Sequence, residues 1–157
     1  MIRDELNSGI DFYIHDDCHI STASTAIFGN HVAIDKGFYC TTQLEVGDYV
    51  HVGPYVAIIG SKKSKLILKD FSFVSVGTKI VAGSDDYNSN NLMGPLIPEE
   101  FKKLILTTVS FEKYSGCGAN CTIMPGVTMS EGSLLLAGSL LNKDTKPWTI
   151  YAGYPAR

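Results

Sequence analysis

The residues of this chain with the types and spacing for chemistry are its four histidines, a pair of adjacent loop acids and a basic, tryptophan-bearing C-terminal stretch. His51 stands between Val50 and Val52, an imidazole in an apolar run. Imidazole exchanges a proton near neutral pH, so His51 is a candidate general base, against the plain alternative of an ordinary exposed histidine. Ser84-Asp85-Asp86-Tyr87 sets two carboxylates beside a phenol. Such a group can bind hydroxyls, and a carboxylate serves as a base only if burial raises its pKa. His15-Asp16-Asp17-Cys18-His19 packs metal-ligand types into five residues, but a metal needs a closed ligand set, and a solvated edge is the simpler reading. His31 lies near an expected turn and is given no role.

These residues are set on a ladder. Phe28, Ile34, Cys40, Val46, Val52 and Ile58 recur every sixth residue, and Val32, Phe38, Leu44, Val50 and Val56 fall two residues before the next member. Period six fits neither a helix nor a lone strand. It fits a solenoid whose short strands each place one side chain inward before turning. His51 precedes the inward Val52 and is therefore expected to point outward from a flat face. The ladder resumes at Leu68, Val74 and Ile80, and again at Phe111, Cys117, Ile123, Met129, Leu135 and Leu141. With three sextets per turn, residues 28, 46, 68, 111 and 129 share one face, 34, 52, 74, 117 and 135 a second, and 40, 58, 80, 123 and 141 a third. That makes about five coils. Ile14 and Ile20 keep the spacing, but the step to Phe28 is eight, so residues 10–26 read as an imperfect capping coil and residues 1–8 as a polar lead or frayed helical turn.

Between Ile80 and Phe111 the rhythm fails, and residues 83–107 form an inserted loop. Loops of this length inside a compact domain are functional or disordered, and the prolines and large apolar residues here favour packing on something, such as a neighbouring subunit. The expected organisation is a single domain over residues 1–157, with coils at 10–82 and 108–141, the loop at 83–107, and a C-terminal segment at 142–157. Apolar content of 45% and charged content of 18% describe a folded protein, and a net charge of −3 gives no general pull toward nucleic acid or anionic membrane. With no apolar N-terminal run and no 18-residue apolar segment, a cytoplasmic protein without membrane insertion is expected. Cys40, Cys117 and Cys121 fall at inward positions, as free buried thiols do.

The sextets, with Ile123-Met124-Pro125-Gly126-Val127-Thr128, Gly138-Ser139, Asn142-Lys143-Asp144 and Tyr151-Ala152-Gly153-Tyr154-Pro155-Ala156-Arg157, resemble the hexapeptide-repeat acyltransferases. The resemblance implies an all-β fold, a left-handed parallel β-helix, assembled as a homotrimer that uses acetyl-CoA or a related thioester. Val50-His51-Val52, the inserted Ser84-Asp85-Asp86-Tyr87 and Pro95-Leu96-Ile97-Pro98-Glu99 are similar to the sugar and polysaccharide acetyltransferases of that family. By this resemblance His51 is the base that relieves the acceptor of its proton. Asp85 competes for that role, since Gly83-Ser84-Asp85-Asp86 occupies the place where related enzymes carry a histidine; it could also orient His51 or bind sugar hydroxyls. Tyr55, Asp86 and Tyr87 are candidates for holding the sugar acceptor. Ala137, Gly138 and Ser139 are candidates for the pantetheine arm, Lys143 and Arg157 for the coenzyme's phosphates, and Trp148 for covering the adenine or capping the core. No metal is expected.

Two alternatives remain at this level. A γ-carbonic-anhydrase-like metalloenzyme shares the fold but needs a histidine spacing absent here. A non-catalytic β-helix trimerisation module would leave the basic terminus and the long loop without a purpose.

Overall fold

The computed structural model describes residues 6–157. The polar lead expected over residues 1–8 lies partly outside them, and its described end is a strand. The first turn of the solenoid comprises β1 (Asn7–Ser8), β2 (Tyr13–Ile14) and β3 (His19–Ile20), and the second β4 (Ile27–Phe28), β5 (Ala33–Ile34) and β6 (Tyr39–Cys40). The third is β7 (Gln43–Val46), β8 (His51–Val52) and β9 (Ala57–Ile59); the fourth is β10 (Lys65–Leu68), β11 (Phe73–Val74) and β12 (Lys79–Val81). A hairpin of β13 (Gly83–Asp85) and β14 (Leu104–Leu106) then projects. The fifth turn is β15 (Thr108–Phe111), β16 (Gly116–Cys117) and β17 (Thr122–Ile123), the sixth β18 (Thr128–Met129), β19 (Leu134–Leu135) and β20 (Leu140–Leu141), and β21 (Ile150–Tyr151) follows.

Stacking these turns makes three parallel sheets, in the orders β1-β4-β7-β10-β15-β18, β2-β5-β8-β11-β16-β19-β21 and β20-β17-β12-β9-β6-β3. The three predicted faces are these sheets. Phe28 pairs with Val46, Val46 with Leu68, Leu68 with Phe111 and Phe111 with Met129 along the first. Each two-residue strand turns its second member inward, and the ladder from Phe28 to Leu141 is at most 4% exposed. The physical reason is the pleat: with only two residues per strand, one side chain must face the core and the other the solvent.

The chain has more turns than five. Residues 7–20 form a complete turn, and the eight-residue step to Phe28 is explained by a 3-10 turn at Ala23–Thr25 that inserts two residues without breaking the stack. At the other end, residues 142–157 do not leave the solenoid altogether, because β21 pairs with β19.

Side chains at the corner between the first and second sheets stack as well. His31, Tyr49, Phe71, Tyr114 and Trp148 all have positive φ and form a column, with ring centroids 4.5, 5.1, 5.2 and 6.0 Å apart in succession. Trp148 reaches Tyr114 by lying over Gly132, where any Cβ would collide with the indole. Beside this column Asp70 binds two neighbouring turns at once, accepting the Asp48 amide at 3.0 Å and meeting Lys113 Nζ at 2.9 Å. Lys113, and then the Asp48 amide, hold the Asp70 carboxyl below its usual range. A depressed folded-state pKa stabilises the fold above the ordinary carboxylate range, and that stabilisation is lost as pH falls through the folded value. Asp70→Asn is therefore expected to unfold at lower denaturant than the parent at pH 7, with the gap closing on acidification. A gap independent of pH would show that the charge contributes nothing.

Candidate active site

The pleat that buries Val52 turns His51 outward on the second sheet, with its side chain 59% exposed. In register it lies between Ala33 and Phe73. Its Nε2 is 2.9 Å from Oδ2 of Asp35, which follows β5 and so sits diagonally across one turn from it. With Asp35 accepting the Nε2 proton, the lone pair is left on Nδ1, the arrangement of a base aimed by a carboxylate. Asp35 is held from two sides: its amide donates to the Val52 carbonyl, and its own carbonyl accepts the Cys18 thiol at 3.2 Å.

The other histidines lie at corners or edges. His15 meets Asp17 at 2.7 Å, His31 meets Asp11 at 2.9 Å, and His19 stacks on Tyr39 with centroids 5.1 Å apart. The run from His15 to His19 therefore does not converge, since its histidines take separate partners and Cys18 is buried. Among the described residues no group of three or more such side chains is placed to hold a metal.

Asp85, Asp86 and Tyr87 sit at a different corner, between the third and first sheets, where the hairpin emerges. Asp85 Oδ2 accepts the Gly94 amide at 3.0 Å and lines a cavity of about 370 Å³ together with Ile59, Pro95 and Leu104. Asp86 is committed to the loop itself: Lys103 Nζ is 2.9 Å from its Oδ2, the Asn88 amide donates to Oδ1, and Lys103 above all keeps its carboxyl below the usual range. Tyr87 is largely exposed. Tyr55 belongs to the corner between the second and third sheets, where its ring lies against Gly37. Within one chain, His51 and Tyr55 are thus not joined to Asp85, and the orienting partner of His51 is Asp35.

Of the candidates for the donor, Ala137 and Gly138 are exposed at the outer corner of the sixth turn, and a Cβ on Gly138 would meet nothing within 4 Å. Ser139 is different. Its side chain is buried, and its Oγ accepts the Gly153 amide at 3.0 Å, so this hydroxyl anchors the C-terminal segment and offers no outward contact. That segment hooks back, with the Ala156 amide donating to Leu140 at 2.7 Å and the Arg157 amide to Ala152 at 3.0 Å, bringing Arg157 to the edge of the third sheet beyond Ser139. Lys143 is exposed. Trp148 is at the aromatic corner, across the solenoid face from Gly138, as the top of the stacked column.

No family profile matches the chain. It is 27% identical over 154 residues to the dTDP-4-amino-4,6-dideoxy-D-glucose acyltransferase of Escherichia coli, covering 95% of this chain and 78% of that protein. Its backbone superposes on an aspartate-to-alanine variant of AntD, an N-acyltransferase from Bacillus cereus in complex with dTDP and coenzyme A, with a TM-score of 0.91 and 30% identity over 96% of this chain and 81% of that one. The chain belongs to the hexapeptide-repeat sugar acyltransferases. A hexapeptide-repeat acetyltransferase from Vibrio cholerae, at 18% identity and a TM-score of 0.69, shares the fold. For a sugar acyltransferase the solenoid is a rigid support, and membership sets aside both the carbonic-anhydrase and the non-catalytic alternatives. The sequence had not singled out Asp35. A turn of eighteen residues places position 33 beside His51, and the next outward residue is Asp35, so the spacing did contain the signal.

Proposed function

We propose that this acyltransferase moves an acetyl group from acetyl-CoA to the amino group of a nucleotide-linked sugar, working as a homotrimer in the cytoplasm with His51 as general base. The observation that carries the reading is the His51–Asp35 pair on an open sheet face, an exposed imidazole held through Nε2 by a carboxylate, which leaves Nδ1 to take a proton. The sugar ammonium first loses a proton to solvent. Its nitrogen then attacks the thioester carbonyl carbon, the second nitrogen proton passes to His51 Nδ1, and the carbon–sulfur bond breaks with the thiolate regaining a proton.

In a trimer the outward face bearing His51 meets the next subunit, and the loop corner bearing Asp85 supplies the acceptor side, with Tyr55, Asp86 and Tyr87 around it. The open backbone at Gly138, beside the small side chain of Ala137, gives the thioester arm a path, with Lys143 and Arg157 as cations for the coenzyme's phosphates and the backbone at Ser139 behind them. Support for an amine acceptor comes from the E. coli relative's dTDP-linked 4-amino sugar and from AntD, solved with dTDP-4-amino-4,6-dideoxyglucose and coenzyme A. Support for the cytoplasm comes from four free, buried cysteines, which suit a reducing compartment.

The test is thiol release from acetyl-CoA with dTDP-4-amino-4,6-dideoxyglucose, set beside the 4-hydroxy analogue and 3-hydroxybutyryl-CoA. Turnover should require the amine and be fastest with the acetyl donor. Release with the hydroxyl sugar alone, or with the longer donor alone, would overturn the corresponding part.

A further inference from the structure

The corner between the third and first sheets carries more than the loop. Three cavities follow one another along it. The one beside Asp85 shares Lys102 and Leu104 with a second of about 340 Å³, and this shares Lys62 with a third of about 250 Å³. Lys62, Lys63 and Lys102 converge on the middle cavity, with Glu99 the one carboxylate among its lining residues. The three lysines make no ion pair among the described residues, whereas Lys65, Lys69, Lys103 and Lys113 each have a carboxylate partner. The far cavity is lined by hydroxyls and an amide, from Ser21, Thr22, Ser24, Thr25 and Gln43. The corners of the first and fourth turns are three strand spacings apart, about 14 Å along the axis.

We propose that this groove is the seat of a nucleoside diphosphate: Lys62, Lys63 and Lys102 hold the two phosphates, the nucleoside lies toward Thr22 and Gln43, and the attached sugar lies toward Asp85. The inference rests on the acyl-transfer reading and names the acceptor's anchor within it. Three lysines lining one concavity, none of them in an ion pair among the described residues, have a charge excess that a diphosphate neutralises, and the flanking cavities differ in character, one lined by hydroxyls and an amide and the other largely apolar around Asp85, so the two ends of such a ligand meet different surroundings. Coenzyme A also carries a diphosphate. The acceptor is favoured because the lysines are contiguous with Asp85, while the open backbone at Gly138 is at another corner of the sixth turn.

Calorimetry on the full chain separates the two sources, using dTDP, UDP, CDP and GDP in one arm and coenzyme A in the other. At least one nucleoside diphosphate should bind the parent protein, more weakly as salt rises. Lys62→Ala and Lys102→Ala should each weaken it roughly tenfold or more, leaving coenzyme A binding unchanged and so showing an intact fold. Glu99→Gln should tighten the nucleotide, an effect that a merely structural glutamate would not give. Equal nucleotide affinity in parent and lysine variants overturns the proposal. So does loss of coenzyme A binding in place of the nucleotide, which would assign the lysines to the donor. If the parent binds coenzyme A and none of the four nucleotides, the diphosphate seat fails while acyl transfer stands; if it binds neither class, the acyl-transfer reading itself falls.

Discussion

His51→Ala is expected to lower kcat/KM for acyl transfer by roughly 10²–10⁴, the range for removing a general base. The side chain is exposed on a sheet face and packs no core, so denaturant unfolding should stay within about 0.5 kcal/mol of the parent. Asp35→Asn should lie in the same direction with a smaller loss, because an amide can donate to Nε2 and so trap the wrong tautomer while keeping the shape. The control is Asp85→Asn. If His51→Ala turns over normally and Asp85→Asn does not, the proton passes to Asp85 and the histidine assignment is wrong. If both are impaired, the kcat and KM contributions separate a base from a group that holds the sugar.

The second large effect is on stability. Phe111 is fully buried in β15, stacked in register between Leu68 of β10 and Met129 of β18. Truncating it to alanine should cost about 3–5 kcal/mol, read from the urea midpoint with the slope unchanged. Phe111 belongs to the turn that resumes after the inserted loop, so its loss uncouples the turns before the loop from those after it. In a stack stabilised by nearest neighbours, that interface is where one mutation does most harm. A loss under about 1 kcal/mol would mean that the ladder is loosely packed there.

Why some features were legible in the sequence and others were not follows from distance along the chain. The ladder of Phe28, Ile34 and Cys40 repeats within the window over which a pattern can be counted, so faces, register and the place of the loop could all be read. The first turn was masked by two extra residues at Ala23–Thr25, which shift the spacing without altering the stack. The burial of the Ser139 side chain is legible in the spacing: it stands two residues before Leu141, as Val56 does before Ile58 and Cys121 before Ile123, and that series is buried. The lysine cavity was beyond reach, because Lys102 comes to line the same cavity as Lys62 only when β13 and β14 fold the loop back on its own base.

The corners of the solenoid differ in how freely they vary in length. The aromatic corner and the one at Tyr55 pass from sheet to sheet in four residues at every turn from the second to the sixth. Every change of length from the end of the first turn to the sixth, from the Ala23–Thr25 insertion to the loop of residues 83–107, falls at the third corner. Along the aromatic column an inserted residue would move a ring out of its stack and disturb the turns on both sides. At the third corner it alters only what the groove can hold. Such a molecule can diverge in ligand choice by lengthening loops along one edge, while the other two keep the spacing of the scaffold, so acceptor specificity and structural integrity are open to selection separately.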